Sequence, residues 1–72
     1  MDLGKRLKAL RAAKGYTVAE LSAVTGVSKP YIWQIEDGRR RNPSGEKLVR
    51  LASALGTTVA DLMGAPAGIE EE

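Results

Sequence analysis

Eleven Lys and Arg side chains, one Trp, two Tyr and a Gln are the groups in this 72-residue chain with chemistry to offer, and that chemistry is recognition. There is no His and no Cys. A His- or Cys-based metal site, a His-dependent triad and a thiol nucleophile are therefore excluded. The carboxylates are no better placed for acid–base work. Glu36 and Asp37 are neighbours, which a helix turns about 100° apart, and Glu70, Glu71 and Glu72 form a terminal acidic run. Gly4, Gly15, Gly26 and Gly38 are isolated and read as helix punctuation, not as a phosphate-cradling loop. Neither enzyme activity nor a cofactor nor a metal is expected.

The cations have a clearer use. Against 9 Asp and Glu they give a net charge of +2. Residues 1–69, without the acidic run, carry eleven basic and six acidic side chains, a net +5. Three of the eleven are consecutive, Arg39-Arg40-Arg41. A basic cluster on a small domain points to an anionic partner, although charge alone does not separate nucleic acid from a membrane surface. No apolar run approaches the roughly 18 residues of a membrane span, and Met1-Asp2-Leu3-Gly4 does not open a signal peptide. A cytoplasmic chain with no membrane partner is the expectation.

The elements that must position these groups are helices. The length allows one domain, which lacks the residues for a disulfide or zinc staple and so depends on helix packing, dimerisation or both. Leu3, Leu7 and Leu10 recur at i, i+4, i+7, with Asp2 as cap and Gly15 as terminator. Thr17-Val18-Ala19-Glu20 has capping-box spacing and opens a second, short helix. Ser28 caps a third, with Pro30 in its first turn, that runs from about Lys29 to Asp37 and stops at Gly38. Gly38 to Pro43 reads as an exposed loop. Ser44 caps a fourth helix with the stripe Leu48, Leu51, Ala52 and Leu55, closed by Gly56. Thr58-Val59-Ala60-Asp61 repeats the box with a shorter acid and opens a fifth. Residues 1–64 are the expected domain and 65–72 a flexible acidic tail. No strand pattern occurs.

Two short helices joined through Thr25-Gly26-Val27 are the most informative feature, because a short Gly-containing turn sets them at a steep angle. That geometry holds the third helix out from the body of the domain, anchored by Ile32 and Ile35, with Glu36 beside them. Pro30, Trp33, Gln34 and Asp37 point the other way, and Lys29 and Tyr31 lie on the flanks. A helix presented in this way fits a DNA major groove.

Leu10-Arg11, Gly15-Tyr16-Thr17-x-x-Glu20-Leu21-Ser22, Thr25-Gly26-Val27-Ser28, Tyr31-Ile32-x-x-Ile35-Glu36-x-Gly38, Pro43-Ser44 and Leu48-x-x-Leu51-Ala52-x-x-Leu55-Gly56 follow one another in a single register. Over about Leu3 to Leu62 the sequence resembles the Cro and phage-repressor type of helix-turn-helix proteins, also called the xenobiotic-response-element family. The resemblance implies an all-α, five-helix, lambda-repressor-like bundle whose second and third helices form the helix-turn-helix. It implies base readout by helix 28–37 through Ser28, Lys29, Pro30, Trp33 and Gln34. In that role Lys29 would donate to guanine or phosphate, Gln34 would pair bidentately with adenine, and Trp33 would meet a thymine methyl or a sugar. It further implies a structural ion pair between Arg11 and Glu36. Four positions depart from the family pattern: Val18 stands where a phosphate-binding Gln is common, Ser22 where Ala is, and Pro30 and Trp33 where small or hydrogen-bonding residues are more often found.

Phosphate or minor-groove contacts are expected from Thr17, Tyr31, Arg39, Arg40, Arg41, Asn42 and Ser44. One reading helix spans few base pairs, so a homodimer on an inverted repeat is expected, with Val59, Leu62, Met63 and Ala65 as its surface. The expected function is that of a double-stranded-DNA-binding transcriptional regulator, a repressor or controller, associated with the nucleoid. The competing reading is a helical protein-interaction module, an antitoxin or adaptor, with Trp33 and Tyr31 as interface anchors.

Overall fold

Hydroxyl side chains start four of the helices in the computed structural model, which describes residues 3–64. Thr17, Ser28, Ser44 and Thr58 each accept a hydrogen bond from the backbone N–H three residues on, at Glu20, Tyr31, Lys47 and Asp61. Each bond satisfies one of the amides that a helix start leaves without a partner. The elements are α1 (Leu3–Lys14), α2 (Val18–Thr25), α3 (Lys29–Glu36), α4 (Gly45–Ala54) and α5 (Val59–Leu62). There is no strand among the described residues. Asp2 as a cap, Ala65 as a dimer residue and the 65–72 tail lie outside the described residues.

The capping box at α2 is complete, since the Glu20 carboxylate accepts in return from the Thr17 N–H at 2.8 Å. The second box is not. Asp61 is one methylene shorter, and its carboxylate accepts instead from the Thr57 hydroxyl at 2.6 Å and from Arg6 Nη2 at 3.2 Å. Arg6 Nε also donates to the Asp61 carbonyl at 2.7 Å. This pair ties α5 to α1.

Leu7, Leu21, Val27, Ile32, Ile35, Leu48, Leu51, Ala52, Leu55 and Leu62 form one core, with Leu3, Leu10, Tyr16, Val18, Tyr31 and Val59 packed around it. Each fully enclosed Leu or Ile contributes about 1.5–3 kcal/mol by burial. α1 lies against α3 and α5, α2 against α3 and α4, and α4 against α5. α3 is therefore gripped from two sides.

Several expectations are corrected here. Gly4 is not punctuation but a buried crossing point inside α1. A Cβ there would run into the carbonyl oxygen of Ile35 and approach that of Glu36 to 2.9 Å, so only Gly lets α1 lie this close to the end of α3. α3 ends at Glu36, with Asp37 as its C-cap. Pro43 is buried, so the loop after α3 is exposed only up to Asn42. Leu62 is 0% exposed and belongs to the core, so it is not available as dimer surface. The reason is α5's shortness: a helix of one turn is held only by burying the apolar residue that reaches the core, here its last, Leu62.

Candidate nucleic-acid interface

Locally, α3 is set by the turn before it. The Thr25 hydroxyl donates to the Leu21 carbonyl at 2.7 Å and accepts from the Val27 N–H at 3.1 Å, so a buried side chain closes the turn from within. Gly26 turns the chain with φ 76°, a left-handed conformation that side chains disfavour. Arg50 on α4 donates to the Thr25 carbonyl at 3.3 Å, capping the end of α2.

The inner face of α3 is fixed by Ile32 and Ile35, which are 0% and 1% exposed, and by an ion pair. Arg11 Nε donates to Glu36 Oε2 at 2.7 Å and Nη2 to Oε1 at 3.1 Å, a two-bond fork. Arg11 Nη1 also donates to the Tyr16 carbonyl at 2.9 Å, joining the end of α1 to the loop before α2. The hydrogen bond to Glu36 raises the Arg11 pKa above its ordinary value; burial opposes this and the carboxylate's charge adds to it. The guanidinium stays charged at every pH at which the protein is folded. This pair orients α3 and reads nothing.

The outer face is open. Ser28, Lys29 and Pro30 are exposed at the leading end, and Trp33 one turn on keeps 49% of its surface in solvent. Neither the Lys29 ammonium nor the Trp33 indole has a hydrogen-bond or ion-pair partner among the described residues. Gln34 is half-buried and engaged. Its side-chain oxygen accepts from Arg40 Nε at 3.1 Å and Nη2 at 2.9 Å.

Around this face the expected phosphate-binding residues do not form one uniform patch. Arg40 lies 4.3 Å from the centroid of the Tyr31 ring, with Lys47 Nζ 5.3 Å from the same centroid. The Tyr31 hydroxyl accepts from the Ser44 N–H at 2.9 Å, leaving its own proton to donate outward. Ser44, Tyr31, Arg40 and Gln34 are thus one connected cluster. Arg39, Arg41 and Asn42 are exposed with their side chains free of hydrogen bonds among the described residues. Thr17, the α2 cap, is exposed as well. Lys47 is a member of this cluster that the sequence motifs do not mark. Its signal is its place three residues after Ser44 on a helix, which sets both beside the same ring. For dimerisation, Met63 is 49% exposed and Val59 is half-buried.

The sequence matches the family described as a helix-turn-helix domain over residues 2–63. The chain belongs to that family. This helix-turn-helix domain is 41% identical over 63 residues to the HTH-type transcriptional regulator DdrOP3 of Deinococcus deserti, covering 88% of this chain and 48% of that protein. It is 36% identical over 61 residues to the HTH-type transcriptional regulator SinR of Bacillus subtilis, covering 85% of this chain and 55% of that protein. The chain thus spans about half the length of the curated relatives it matches. Among solved structures, the domain superposes on the biofilm regulator SinR in complex with DNA with a TM-score of 0.81 and 37% identity, over 83% of this chain and 95% of that one. No helix among the described residues of the domain is long and apolar enough to cross a membrane.

Proposed function

We propose that this helix-turn-helix domain is a sequence-specific, double-stranded-DNA-binding transcriptional regulator that seats α3 in the major groove and acts as a homodimer on an inverted repeat. The observation that carries the reading is the asymmetry of α3. Its inner face is held by two buried Ile side chains, the Gly4 crossing and the Arg11–Glu36 fork, while its outer face presents Ser28, Lys29, Pro30 and Trp33 to solvent. A helix so rigidly held has little ordering entropy to lose on docking. The likeness to a regulator solved with DNA supports the same reading.

In the proposed complex Lys29 and Trp33 meet base edges. Arg39, Arg41, Asn42, Thr17 and the outward protons of Tyr31 and Ser44 meet the backbone on either side. A cation in the first turn of a helix, as Lys29 is, is unfavourable unless an anion answers it, and DNA supplies one. Met63 and Val59 are the proposed contact between subunits, placing two reading helices one turn of DNA, about 34 Å, apart. The cellular site proposed is the cytoplasm, on the nucleoid.

Selection of a randomised duplex library by the purified protein, at low and near-physiological salt, tests the reading. An enriched inverted repeat is the expected result. Salt-sensitive retention without enrichment would reduce the protein to a non-specific binder, and no retention at low salt would overturn the reading.

A further inference from the structure

The family resemblance implies that Gln34 pairs with adenine, a task that needs both ends of its amide: an acceptor for the base's N6–H and a donor for its N7. The structure leaves only one end free. The turn after α3 reverses around Gly38, at φ 80°, so that the Arg39 and Arg40 N–H groups both donate to the Gln34 backbone carbonyl, at 2.9 and 3.0 Å. That reversal delivers the Arg40 side chain beside the Gln34 side chain, where Nε and Nη2 grip its oxygen. A guanidinium has donors only, so the atom it faces must be the amide oxygen, and the orientation of the amide follows.

Arg40 is itself held. Its guanidinium carbon lies 4.3 Å from the Tyr31 ring centroid, and the Tyr31 hydroxyl is fastened to the Ser44 N–H at the start of α4. Two N–H groups on one oxygen use both of its lone pairs. What Gln34 then presents outward is an NH2 group with two protons and no acceptor. Three of the five Arg40 N–H groups remain for a phosphate, so gripping Gln34 and attracting DNA do not compete.

We propose that Arg40 is a positioning residue that converts Gln34 from an adenine reader into a donor-only reader, so that the base it contacts is guanine, whose major-groove edge carries acceptors at N7 and O6. This rests on the regulator reading above. It goes beyond it by assigning a base to one position and a cause to that assignment. Sequence recognition by α3 is then set partly by a residue outside α3, through the chain Ser44–Tyr31–Arg40–Gln34.

Library selections with four proteins test it: the unaltered chain, Gln34→Ala, Arg40→Met and Arg40→Lys, each checked for helical content. Gln34→Ala identifies the base pair that Gln34 reads, as the position whose preference it abolishes. At that position the unaltered protein should prefer guanine over adenine by about tenfold. Arg40→Met frees the amide oxygen and should erase or reverse that preference. Arg40→Lys keeps the charge but not the fork, so it should shift the same position toward adenine with an unchanged salt slope. A purely structural or purely phosphate-binding Arg40 would move affinity at every position alike. Adenine in the unaltered selection, no position that responds to Gln34→Ala, or guanine retained by both Arg40 variants would each overturn the proposal and leave the regulator reading intact. No enrichment by the unaltered protein would overturn both.

Discussion

Two arginine forks grip α3, one from inside and one from outside. Arg11 holds the Glu36 carboxylate through Nε and Nη2, and Arg40 holds the Gln34 amide oxygen through the same two nitrogens. The inner pair is charged on both sides and enclosed, with the side chains 15% and 7% exposed. The outer pair has a neutral acceptor and lies at the surface. Removing one partner inside strands a charge in a low-dielectric site, whereas removing one outside lets water take its place. The same donor geometry therefore gives stability in one region and orientation in the other.

The inner fork carries the largest expected effect. Arg11→Ala leaves the buried Glu36 carboxylate unpaired and should cost about 3 kcal/mol, lowering the melting temperature by about 15 °C. Thermal and urea unfolding measure it. Gly4→Ala should follow at about 2 kcal/mol, because its Cβ meets backbone that cannot rotate away. Ser28→Ala removes the α3 cap and should cost about 1 kcal/mol in the same assays, with weaker DNA binding as the leading turn frays. Arg40→Met should change stability by no more than about 0.5 kcal/mol. An Arg40 variant as unstable as Arg11→Ala would erase the distinction between the two forks.

Those predictions also divide what the sequence reveals from what it hides. The caps at Thr17, Ser28 and Ser44 are legible because an N-cap bond closes over three residues and needs no tertiary context. The stripes of α1 and α4 are legible for a similar reason, as periodicity is local. The Arg11–Glu36 pair, 25 residues apart, was legible only through the family resemblance, and the structure brings the two together. Gly4 looked like any other isolated Gly because its reason lies in a carbonyl on another helix. The Gln34–Arg40 grip crosses a helix end, and no spacing rule foresees that the Gly38 reversal folds residue 40 back onto residue 34. The sequence leaves Leu62 open between dimer surface and core, because a one-turn helix has too few residues for its pattern to say which side is inside.

Trp33 is the sole Trp and sits on the outer face of α3, so it reports on that face without a label. Its fluorescence, titrated with a selected duplex and with a scrambled one at near-physiological salt, tests most directly that this face is what meets DNA. Saturable quenching or a blue shift with the selected duplex, weaker with the scrambled one and lost on raising salt, is the predicted result. Unchanged Trp33 emission while the duplex is demonstrably bound would contradict the account and place the DNA on another surface of the domain.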